Sequence, residues 1–230
     1  MLSMAVFSDL PALNPDSYPH PIEAVTVDSI RAVILHYAHS GSTSPRQHLI
    51  AAGLDLMTRV SRIEDLNLRK AIERAGYGFS RFYKLWPSLG EYHYDVWRFG
   101  LKCHSMSELE HLKQLGGESL EGFAQVFAQH SVLAQHLVSP TIFKYIMADY
   151  ANNDMMTMLK HAPEHARATH AMFVSLFPEV ANQLKLEGLM EFAWMAGTYL
   201  FSRLLDEQRS ISDEAAIEVL KKQLLLHRPF

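Results

Sequence analysis

Apolar residues recur at three- and four-residue spacing along most of this 230-residue chain, and no stretch alternates apolar with polar residues between turn signals as a strand does. The pattern predicts an all-α fold. Val27 to His39 carries Ile30, Val33, Ile34 and Tyr37 on one helical face, with Asp28 in the first turn and Gly41 past the end. A stronger helix opens with Ser44 as N-cap and Pro45 at its first position, and buries Leu49, Ile50, Leu54, Leu56, Met57 and Val60. Asn67 then caps a helix of about two turns, whose stripe is Leu68, Ala71, Ile72 and Ala75 and which ends at Gly76. Gly78 follows almost at once. Phe79, Phe82 and Trp86 mark a second short helix that Pro87 stops. Two short helices joined across a glycine turn, behind a longer one, have the layout of a three-helix helix-turn-helix module.

Helical patterns continue through Gly90 to Met106, Glu118 to Leu137, Pro140 to Asn152, Asp154 to His161, Pro163 to Leu176, Glu179 to Asp206 and Ser212 to His227. The chain divides into an N-terminal arm with one short helix (1–43), a helix-turn-helix domain (44–92) and a larger C-terminal helical domain (93–230). Met1 to Pro21 has no basic leader region, carries Asp9, and is interrupted by Pro11, Pro15, Pro19 and Pro21, which reads as an irregular arm. Leu189 to Leu205 is the most apolar later stretch, but it contains Glu191 and Arg203 and falls short of the ~20 residues of a membrane span. It reads as a buried helix, and no membrane partner is expected.

Composition adds little until charge is divided along the chain. Apolar residues make up 48% and charged residues 20%, the usage of a globular protein, and the net charge is -4. Between Ser44 and His104, however, ten Lys or Arg face six Asp or Glu, leaving eleven basic and nineteen acidic residues elsewhere. Positive charge is therefore concentrated on the segment that carries the two short helices. Cys103 is the only cysteine, which rules out an intrachain disulfide and fits a reducing cytoplasm.

The stretch from Ala71 to Tyr92 resembles the helix-turn-helix of the TetR family. Glu73-Arg-Ala-Gly76, then Phe82-Tyr83, then Trp86-Pro87-Ser88 and Glu91 match without a gap, and with the preceding helix the resemblance covers about Ser44 to Trp97. It implies a dimeric transcriptional regulator, a repressor, in which Tyr83 and Lys84 hold the DNA backbone while Phe79, Ser80 and Arg81 approach bases. Arg46, Gln47 and Asn67 add contacts. The chain departs from the family at Gly78, where a Ser or Thr cap is usual, at Phe79, where a basic residue is usual, and at Leu89, where a lysine is usual. Gly90 also replaces a good helix former.

The resemblance further implies an effector pocket and a dimer surface in the C-terminal domain. Phe123, Phe127, Phe143, Met147, Met155, Met158, Phe173 and Trp194 could line a cavity for a small apolar molecule, although the same residue types build an ordinary core. Ala193, Gly197, Leu200 and Leu204, with Ile217, Leu220 and Leu224, form two stripes suited to close helix packing between subunits or within one.

Other chemistry finds little support. His161, His165 and His170 invite a metal reading, but Pro163 interrupts the helix and no carboxylate pair accompanies them. Glu108-Leu-Glu-His111 has the form used in di-iron bundles, with no second copy. No catalytic residue, metal site or cofactor is expected. Two alternatives to the regulator remain: a binding protein that keeps the fold without operator recognition, and, more remotely, a helical-bundle enzyme.

Overall fold

The computed structural model describes residues 18–40, 44–59, 66–137, 174–184, 195–200, 202–203, 206 and 210–226, and every regular element among them is helical. Helix α1 spans Val27–His39, α2 Pro45–Met57, α3 Leu68–Arg74, α4 Phe79–Tyr83, α5 Leu89–Leu115 and α6 Leu120–Leu133. A 3-10 turn at Ala134–Leu137 extends α6, and α7 (Pro178–Ala181) and α8 (Asp213–Leu225) follow.

Most helix starts obey local capping chemistry. Thr26 and Ser29 satisfy each other's backbone N–H groups in a reciprocal box at the start of α1. Ser44 accepts from the Gln47 amide, Asn67 from the Lys70 amide and Ser88 from the Glu91 amide, so α2, α3 and α5 begin where the side chains dictate. The last of these helices runs 27 residues, past the end expected near Met106, because nothing between Met106 and Leu115 breaks it.

The first apolar cluster joins α1 to α4 with the N-terminal half of α5. Ile30, Val33 and Tyr37 are fully buried in it, so α1 is a core helix rather than an appendage of the arm. It packs most extensively on α5. Between α2 and α5 the backbones approach closely at Gly53, where an added Cβ would lie 2.3 Å from the Tyr92 hydroxyl and 2.8 Å from Val96. The same hydroxyl donates to the Leu49 carbonyl at 2.7 Å, which fixes the register of the two helices.

The second cluster is built from Leu112 on α5, the inward face of α6, Val180 on α7 and the stripe Ala216, Leu220 and Leu224 on α8. Helix α8 lies along α6 of the same chain. Leu220 and Leu224 are each 1% exposed, so these two residues have no surface left for a second subunit. Ile217 is half-buried against the same cluster. Arg203, buried, bonds Gln135 at 2.6 Å and also holds Asp213, which receives His136 at 2.8 Å, and this network ties the start of α8 to the end of α6.

A polar seam lies where α1, α5 and α6 meet. His111 donates from Nδ1 to the Ser107 carbonyl at 2.7 Å, and its Nε2 lies 3.0 Å from the Ser29 hydroxyl oxygen. His130 Nε2 meets the Ser107 hydroxyl at 3.1 Å, and the His130 ring lies 5.0 Å from both His104 and His111. Among the described residues, Nδ1 of His130 is buried without a partner. Alongside, the buried Glu110 carboxylate accepts from Tyr37 at 2.9 Å.

Candidate nucleic-acid interface

The candidate site is the surface of α4 and its supports. Helix α3 ends in a Schellman motif: Gly76 takes φ +75°, its amide donates to Glu73 at 3.0 Å, and the Tyr77 amide reaches back to Ile72 at 3.1 Å. A glycine is suited to that position because a Cβ strains the left-handed backbone. Two residues later Gly78 starts α4 with no side-chain cap. The reversal is pinned from behind by His48 on α2, whose Nδ1 lies 2.8 Å from the Tyr77 hydroxyl with the rings stacked.

Buried aromatic rings set the angle of α4. Phe82 (0% exposed), Trp86 (1%) and Tyr92 (0%) form a triangle with centroids 5.0 to 5.4 Å apart. The Asp95 carboxylate, buried on α5 beside Tyr92 and Val96, accepts from the Trp86 indole at 2.7 Å and from Arg46 at 2.5 Å. The Arg46 guanidinium also lies over the Trp86 ring, 5.5 Å from its centroid. A second buried carboxylate, Asp55 on α2, holds Arg74 at 2.5 Å and Arg59 at 3.0 Å and so anchors the end of α3.

These supports leave one outward group. Phe79, Ser80, Arg81, Tyr83 and Lys84 are all exposed, as are Arg69 and Lys70 on α3 and the cap residue Asn67. Tyr83 keeps 59% of its surface and Phe79 42%. Leu89, at the first position of α5, is 41% exposed. Two expected contacts differ. The Gln47 side chain is withdrawn, at 6% exposure, because this position of α2 faces the core. Arg46 is half-exposed, but one of its terminal nitrogens is committed to Asp95.

Sequence reasoning missed Asp95. The signal was present, since a carboxylate on a stripe with Tyr92, Val96 and Phe99 must find buried donors.

The expected effector and dimer residues are only partly covered. Phe123 and Phe127 pack 6.4 Å apart, with Phe177 5.3 Å from Phe123, as members of the second cluster. Gly197 is exposed and Leu200 half-buried. Phe143, Met147, Met155, Met158, Phe173, Trp194, Ala193 and Leu204 lie outside the described residues, as do His161, His165 and His170. Among the described residues, no group of three or more His, Cys, Asp or Glu side chains is placed to hold a metal ion. Cys103 is fully buried, and burial pushes its thiol well above the ordinary range, away from thiolate chemistry. No helix among the described residues is long and apolar enough to cross a membrane.

No family model, curated protein or solved structure matches the chain.

Proposed function

We propose that the chain is a homodimeric, TetR-like transcriptional regulator of the cytoplasm, a repressor. In this reading α2 to α4 form a helix-turn-helix domain on duplex DNA, and the remaining helices respond to a small apolar effector. One observation carries the reading. Phe79, Ser80, Arg81, Tyr83 and Lys84 face solvent together on a short helix whose angle is set by Gly76, Phe82, Trp86 and Asp95. A rigid, donor-rich helix set on a basic segment has what phosphate and base-edge contacts in a major groove require.

A second reading keeps the fold and drops operator recognition. Gly78 caps α4 without a side chain, Leu89 stands exposed where a lysine would meet the backbone, and Arg46 is turned to Asp95.

Selection of duplexes from a random pool by the full-length protein decides between the two. The regulator reading expects an enriched, pseudo-palindromic sequence, bound more weakly by the Tyr83→Phe, Lys84→Ala double variant across all sequences. A folded dimer that enriches nothing at low salt contradicts it and supports the second reading.

A further inference from the structure

The outward face of α4 is not simply cationic. Phe79 and Tyr83 stand four residues apart, one helical turn, and both are exposed among Ser80, Arg81 and Lys84. Phe79 belongs to neither apolar cluster, and the buried aromatic group under α4 is Phe82, Trp86 and Tyr92. On the preceding side Gly78 offers no shield, and a Cβ built there would meet nothing within 4 Å. A phenyl ring is thus presented at the start of the helix, flanked by the side chains best able to hold phosphates.

A phenyl ring cannot hydrogen-bond a base edge or pair with a phosphate. Among the groups displayed in a major groove, the apolar one is the C5-methyl of thymine, and Phe is among the side chains that contact it. The exposed arginines and lysines of α3 and α4 make a polyanion the fitting occupant, rather than an apolar protein surface. We propose that Phe79 is a specificity-determining residue that reads thymine: its ring packs on the C5-methyl while Ser80 and Arg81 bond to neighbouring base edges. This inference rests on the duplex-DNA reading above.

The test uses the full-length protein and the duplex it selects. Each thymine is replaced in turn by deoxyuridine, which lacks only the methyl group. The affinity of the wild-type protein is expected to fall about fourfold at one position per half-site, the worth of one buried methyl. Phe79→Ala should bind the thymine and uracil duplexes equally, and Phe79→Leu should keep part of the difference. Because Phe79 is outside the core, neither substitution should disturb folding. If the wild-type protein is indifferent to uracil at every position, or if Phe79→Ala discriminates as well as the wild type, thymine reading by Phe79 is overturned while the DNA reading stands. If no duplex is selected at all, both fail.

Discussion

The indole of Trp86 donates to the carboxylate of Asp95 across 2.7 Å of buried space, and the same oxygen receives Arg46 from the start of α2. One carboxylate therefore joins the end of the α4 segment to α5 and to α2. Asp95→Ala leaves a buried indole N–H without an acceptor, at a cost of about 1 to 3 kcal/mol. Urea unfolding should show this as a lower midpoint with an altered Trp86 environment, and an unchanged midpoint would mean that the contact is dispensable.

Two glycines should respond oppositely to a side chain. At Gly53 a Cβ collides with Tyr92 and Val96, so Gly53→Ala must push α2 from α5 and lose about 1 to 3 kcal/mol, as overpacking does. Gly78 has open space and an extended N-cap backbone, φ -104° and ψ 164°. Gly78→Ser should therefore gain a few tenths of a kcal/mol by capping α4. Thermal melts of both variants check the contrast, and a neutral Gly53→Ala would contradict the close packing.

The histidine seam makes stability depend on pH. Burial is the leading cause that lowers His104 to about 4 and holds His111 and His130 below the ordinary 6.5. Between about 6.5 and 4 the unfolded chain therefore binds protons that the folded chain refuses, and stability falls as pH falls, by about 1.4 kcal/mol per pH unit for each net proton. Glu108, whose carboxyl burial raises above its ordinary range, works the other way and offsets part of this loss. The expected net result is a lower urea midpoint at pH 5 than at pH 7. A flat profile would mean that the imidazoles are hydrated.

Burial of α8 against α6 predicts how its core residues behave. Leu224→Ala should cost about 2 to 5 kcal/mol, and the loss should be independent of protein concentration, because the contact is within one chain. A loss that vanishes at high concentration would place Leu224 between subunits.

Helix positions were largely legible because they depend on neighbours in sequence: Ser44 with Pro45, Asn67 and Gly76 each acts on its own turn. Outward placement of Ser80, Arg81, Tyr83 and Lys84 followed from Phe82 and Trp86 claiming the opposite face. Partners distant in sequence were not legible. Periodicity marks the stripe of Leu220 and Leu224 as buried, yet it does not say whether α6 or a second chain covers it. Likewise nothing near Arg46 announces Asp95, 49 residues away. The basic count overstated the free charge for the same reason, since Arg46, Arg59 and Arg74 are taken by carboxylates.

The most direct test of DNA binding is the salt dependence of affinity for the selected duplex, measured by fluorescence anisotropy between 50 and 200 mM salt for the wild-type protein and for Lys84→Ala. A phosphate contact at Lys84 predicts a linear fall of log K with log salt, whose slope is shallower by about 0.9 in the variant, with helicity unchanged by circular dichroism. A slope near zero, or identical slopes for the two proteins, would contradict the assignment of this face to DNA.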